Sequence, residues 1–391
     1  MHMADALVSP AVGGVMGGAT VAAIAYCSRK LREQPDERRV PLMGVIGAFV
    51  FAAQMINFCI PGTGSSGHLG GGLLLAVVLG PHAAFLVMTS ILAVQALFFA
   101  DGGLLALGCN IFNLAFFPCF LAYPLVYRPI VRGRVTGERV SGGRVCGGRV
   151  VQAAGGQDSA PPDATLEERT PRQRVLARRV LAGSLFAAIP GLQLGAFAVV
   201  LETRLSGITD LPFGTFLLLM QPIHLAIGIV EGLATAAVVL FVAQARPEIL
   251  APEVPAVAPG VLPSAKRSLR AVLAGLLAMT VVAAGAVSWF ASTQPDGLEW
   301  SLARVTGAAE ARPPDGGAHA VLARLQETTS FLPGYALTPA AGPAVSSPQA
   351  DEAWPAVDGG TSLAGLIGSA ITLGVALLIG FLLGHRQRAG A

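Results

Sequence analysis

Phe213 to Gln244, FGTFLLLMQPIHLAIGIVEGLATAAVVLFVAQ, runs for thirty-two residues with His224 and Glu231 as its only ionisable side chains. As a helix it would be about 48 Å long at 1.5 Å per residue, longer than the roughly 30 Å hydrocarbon core of a bilayer. The stretch reads as a transmembrane helix. Further apolar runs at 7–27, 41–60, 69–80, 81–100, 102–127, 179–201, 268–291 and 363–384 bring the expected number of segments to nine. The third is short and glycine-rich, so it is expected to be tilted, broken or only partly inserted. With 53% apolar and 13% charged residues, the chain is too greasy for a soluble enzyme. The expected fold is an all-α polytopic membrane protein, with a bundle of about seven helices followed by a two-helix C-terminal unit.

Orientation follows from Lys and Arg, which favour the cytoplasmic side. Placing the N-terminus outside puts 22 of the 26 basic residues on the inner side, including eleven between Arg128 and Arg179. It also puts Met1, His2 and the loop after residue 60 on one outer face.

Two polar breaks divide the chain. Residues 128–178, with the repeat GRVTGERVSGGRVCGGRV, read as a cytoplasmic linker lying against anionic lipid head groups. The run has no interleaved aromatics to stack bases, so no nucleic-acid partner is expected. Residues 246–267 are rich in Pro, Ala and Val, which places a domain boundary between 1–245 and 268–391. Five scattered cysteines without a CxxC pair suggest neither a disulfide framework nor a zinc ribbon.

The chemistry concentrates in PGTGSSGHLGGG, residues 61–72. A loop this rich in Gly can fold back between apolar segments and present its one imidazole, His68, inward. Met1-His2 supplies three more nitrogens: the α-amine, the backbone nitrogen of residue 2 and the His2 imidazole. The initiator Met is expected to persist, because the aminopeptidase that removes it needs a small second residue. Met1, His2 and His68 together form a four-nitrogen set that suits Ni(II), Cu(II) or Co(II) rather than oxygen-seeking Ca or Mg. His224 and Glu231, seven residues apart on one helix face, are candidates to orient the ligand imidazoles or to form a structural polar pair. Ser66 and Asp101 are further candidates for supporting positions. Asp101, Asn110 and Asn113 flank segment five and are expected to cap it.

MHMADALVSP, GTGSSGHLGGGLLLAVVLGP, LFFADGGLLALGCNIFN and HLAIGIVEG resemble the CbiM/NikM substrate-binding components of energy-coupling factor (ECF) transporters for cobalt and nickel. PDGLEW, between the last two spans, resembles the small CbiN/NikN companion subunit, here fused at the C-terminus. The first resemblance covers roughly residues 1–245 and the second 268–391. It implies a metal held by Met1, His2 and His68, no resident cofactor, and partnership with separate ATPases and a transmembrane coupling (T) subunit in the cell inner membrane. The loop lacks the longer Ser/Cys-His-Pro pattern of the cobalt type, which leans toward nickel. The sequence contains no GxxxxGK[ST], so the ATPase activity has to come from another chain. An intramembrane metalloenzyme or a metal sensor is the competing reading; HExxH and a recognisable output domain are both missing. Asp296, Glu299 and His319 are candidates for transient metal contacts in the outer loop.

Overall fold

The computed structural model describes residues 2–33, 38–132, 166–250, 268–308, 316–337 and 357–388, with a few single positions between them. The Arg/Gly/Val repeat, most of the 246–267 linker and Met1 lie outside the described residues.

The elements follow the apolar pattern closely. They are α1 (Pro10–Glu33), α2 (Arg39–Gln54), a hairpin of β1 (Phe58–Ile60) and β2 (Ser65–Gly67), α3 (Gly72–Leu79) and α4 (Pro81–Phe98). Then come α5 (Leu107–Arg132), α6 (Leu166–Ser206) and α7 (Phe213–Ala245). The C-terminal unit holds α8 (Leu269–Gly285), α9 (Gly297–Thr306), α10 (Gly317–Thr329) and α11 (Gly359–Arg388).

Among the described residues six helices are long and apolar enough to cross a membrane: α1, α4, α5, α6, α7 and α11. The other three expected segments are helical but shorter. Segment two ends at Gln54 rather than 60, because Phe58–Ile60 pairs antiparallel with Ser65–Gly67 in a hairpin. This hairpin is a local departure from the all-α expectation. Its turn passes through Gly62 and Gly64, both at φ +78°, a conformation that disfavours a side chain. Segment three is the eight-residue α3, buried at every position and therefore enclosed by protein rather than lipid. The segment from 268 is the seventeen-residue α8.

Two boundaries also move. Segment five begins at Leu107 instead of 102, since residues 99–106 form a loop with left-handed turns at Ala100 and Gly102. Its central part, Phe112–Tyr127, is π-wound, with Pro118 and Pro124 each removing a backbone donor from the ladder. Residues 166–178, expected to be linker, are the first turns of α6.

Among the described residues the core is one large cluster joining both halves of the chain, with a small cluster of Ala52, Ala283 and Ala284 beside it. α6 and α7 pack along each other and α5 lies against α6; α11 lies on α2 and α4, and α8 on α2. The C-terminal unit is thus interlocked with the bundle. α1 is the outlier, with only 17% of its apolar window buried. Of its glycines, Gly13 faces Leu105 and the Gly17 backbone meets Gly108 of α5, while Gly14 and Gly18 face open space.

Candidate metal centre

The first residues of the chain are pinned by their backbone. The Met3 N–H donates to Asn110 Oδ1 at 2.7 Å, and its carbonyl accepts from Asn110 Nδ2 at 3.1 Å and from the Gly103 N–H at 2.9 Å. Asp5 Oδ1 accepts from the Ala106 N–H at 2.9 Å, tying the same two segments together. Asn110 and Asp101 therefore do not cap α5, whose N-cap is Ala106 without a side-chain bond. Asn110 is instead a clamp on the amino-terminal strand.

This clamp delivers His2 to Asp101. His2 Nδ1 donates to Asp101 Oδ1 at 2.8 Å, and the side chain is 7% exposed. His2 Nε2 is buried without a hydrogen-bond partner. Asp101 Oδ2 accepts from the Tyr335 hydroxyl at 2.6 Å. Burial pushes the Asp101 carboxyl up, but the His2 charge and hydrogen bond and the Tyr335 hydroxyl outweigh it and hold it well below the usual carboxylate range. Tyr335 sits at φ +63°, uncommon for a bulky residue, and stacks on Phe99 with ring centroids 4.8 Å apart.

The loop supplies the second imidazole. The rings of His2 and His68 lie nearly parallel, 19° apart, with centroids 5.1 Å apart. His68 Nδ1 is 3.1 Å from the Leu69 carbonyl, which commits it as a donor and makes Nε2 the lone-pair nitrogen. Withdrawal from water lowers its pKa to about 3, so the ring is neutral and able to ligate. Glu231 Oε2 accepts from the Gly70 N–H at 2.8 Å, and Gln54 Nε2 donates to the Gly70 carbonyl at 2.8 Å. Gly71 follows at φ +76°, its α-carbon against Val50, where a Cβ would clash.

His224 and Glu231 of α7 do not share one task. His224 Nδ1 bonds the Met220 carbonyl at 2.7 Å, and the ring lines a pocket with His68, Gly67, Gly70, Asp296 and Gly297. Glu231 holds the loop backbone. The two do not form a simple polar pair; each serves the loop from α7 in its own way.

The C-terminal unit closes the site from the other side. The Ser66 N–H donates to the Pro295 carbonyl at 2.8 Å, Ser66 Oγ donates to the Gln294 carbonyl at 2.7 Å, and Ser66 and Asp296 form a parallel bridge. Asp296 is the N-cap of α9 in a capping box with Glu299. His319 of α10 places Nε2 at 3.0 Å from the Val8 carbonyl and 3.2 Å from that of Asp5. Gln326 Nε2 donates at 2.8 Å to the Ala96 and Gly102 carbonyls, on either side of Asp101. His319 and Glu299, read from sequence as metal contacts, thus have structural work.

The family described as the cobalt uptake substrate-specific transmembrane region, CbiM, matches residues 2–155 and 166–249. The chain belongs to the CbiM family. A PDGLE domain matches residues 270–385, so the CbiM region and its companion lie on one polypeptide. The chain is similar to a fused nickel transport protein of Rhodobacter capsulatus, 39% identical over 29% of this chain and 33% of that one. It is also similar to a cobalt transport protein of Thermosediminibacter oceani, 38% identical over 29% and 45% of the two chains. A longer match, 29% identical over 75% of this chain and 80% of the other, is to an Archaeoglobus fulgidus protein named as a fused nickel transport protein. The CbiM region with its companion is a polytopic membrane component of metal uptake, not an enzyme.

Proposed function

We propose that this chain captures Ni2+, or Co2+, at a planar nitrogen site made by the Met1 α-amine, the His2 backbone nitrogen, the His2 imidazole and His68. The observation that carries the reading is the meeting of His2 and His68, sixty-six residues apart, as near-parallel rings with centroids 5.1 Å apart. Two imidazoles this close can each turn a nitrogen toward one ion, given metal–nitrogen bonds of about 2 Å.

A chelate ring that includes the residue 2 backbone nitrogen closes through Nδ1, which is six-membered. In the metal-free state that nitrogen is on Asp101. Capture therefore turns the His2 ring by half a revolution, moving Asp101 to the Nε2–H, where it orients the ligand and raises its basicity. The uptake component sits in the inner membrane with its N-terminus outside. It is energised by separate ECF ATPases through a transmembrane coupling subunit, since the chain has no phosphate-binding loop of its own.

The test is nickel and cobalt accumulation in cells expressing the chain with and without those partner subunits. Accumulation that requires the partners and disappears in His68→Ala supports the reading. Accumulation unchanged by His68→Ala contradicts it.

A further inference from the structure

Beside the pinned amino-terminal segment, four side chains with lone pairs to offer come together, and two of their oxygens are left without a donor. Asn113, fully buried on α5, donates through Nδ2 to Glu202 Oε2 of α6 at 2.8 Å, and the same nitrogen lies 3.8 Å from Met3 Sδ. Cys109, one turn before Asn113, is a free, fully buried cysteine whose thiol interacts with the Glu202 carboxylate. Glu202 is 5% exposed. Its second oxygen, Oε1, and Asn113 Oδ1 are both buried without a hydrogen-bond partner. Two orphaned oxygens beside a thiol and a thioether, inside a helical bundle, are expensive unless something electron-poor joins them.

We propose that Met3, Cys109, Asn113 and Glu202 form a second cation site for a divalent transition-metal ion, softer than the nitrogen chelate above it. Two sulfurs and two oxygens are a donor set that borderline ions such as Co2+ and Ni2+ accept. The Cys109 thiol releases its proton on binding, because the thiolate is the ligand. Met3 joins the two sites covalently: its neighbour His2 is a ligand of the upper site and its own sulfur reaches the lower one. An ion leaving the chelate thus meets weaker donors one residue further along the chain. The inference deepens the uptake reading and rests on it for the identity of the ion.

The experiment titrates Co2+ into the full-length protein carrying one extra residue before Met1, which disables the chelate. The expected result is a thiolate-to-cobalt charge-transfer band that Cys109→Ser abolishes, with cobalt retention at least tenfold weaker in Glu202→Gln. Each variant is also made without the extension, and retained nickel there shows that the fold and the upper site are intact. Absence of the band, or a band indifferent to both substitutions, overturns the proposal. So does an infrared carboxylic-acid band that Glu202→Gln removes but cobalt leaves unchanged, since Glu202 is then a neutral acid paired with Asn113. If nickel binding to the unextended protein fails while the band is present, the upper-site reading fails and the lower site stands.

Discussion

The Tyr335 hydroxyl of the C-terminal unit donates to Asp101 at 2.6 Å, and the other oxygen of that carboxylate receives His2 Nδ1 at 2.8 Å. Two residues 234 positions apart thereby act together on the His2 imidazole. Tyr335→Phe keeps the ring stacked on Phe99 but removes the hydrogen bond, and is expected to weaken nickel binding by roughly threefold to tenfold. Asp101→Asn, which loses the charge facing His2, is expected to weaken it by about 10–100-fold. Calorimetric titration of both variants checks the order; nickel binding weakened no more by Asp101→Asn than by Tyr335→Phe would break the relay.

Glu231 holds the loop through the Gly70 N–H at 2.8 Å. Glu231→Ala leaves that buried donor unpaired, a loss of about 1–3 kcal/mol. Hydrogen exchange of residues 61–71 should accelerate, while α4, which Glu231 does not touch, stays protected. Unchanged exchange in the loop would show that its fold does not depend on α7.

Gly71→Ala is expected to be more damaging than Glu231→Gln, because it both forces a Cβ against Val50 and places alanine at φ +76°. Expression and melting temperature of the two purified variants provide the comparison.

The pH dependence has two separable parts. His68, with its pKa lowered to about 3, is neutral across ordinary conditions, so it is not the group that protons take from the metal. The α-amine, with an ordinary pKa of about 7.7–8.0, and the backbone nitrogen are. Nickel affinity should therefore fall steeply between about pH 8 and pH 6. The Asp101 carboxyl is held below its ordinary 3.8, so its contribution is present above that value and lost only as pH falls below it. His68 acts in the same direction at higher pH: its depressed pKa destabilises the metal-free fold progressively as pH falls below 6.5 toward about 3. Melting temperature of the metal-free protein should stay flat from about pH 8 to 6.5, where affinity is already dropping, and decline only below that. A melting curve that tracks the affinity loss would contradict this separation.

Much of the fold was legible because lipid enforces long apolar runs: all nine segments reappear as helices, and the errors are at ends set by tertiary contacts. Cys59 and Ile60 looked like the tail of a span because nothing in an apolar run announces that it will turn and pair with Ser65 and Ser66. The site was legible where it depends on donor chemistry. Met1, His2 and His68 stood out as nitrogen donors, and the structure brings His2 and His68 together, with Met1 outside the described residues. Asp101 and Ser66 were suspected without their partners. Tyr335 was missed, since it follows a Pro-Gly turn in a loop without periodicity; FLPGY is the one aromatic cluster in that stretch and was the only available signal. Asn110 reads as a cap in sequence, which shows the helix start but not the amino-terminal segment that crosses it.

The proposed site stands or falls on the chain's own terminus acting as a ligand. The most direct measurement is metal content and visible absorption of the purified full-length protein after nickel loading, beside a variant with one residue added before Met1. A planar chelate at the terminus gives a yellow, diamagnetic, nickel-loaded protein and an extended variant without nickel at that site. Equal nickel and the same spectrum in both would place the ion elsewhere and contradict the roles of Met1 and His2.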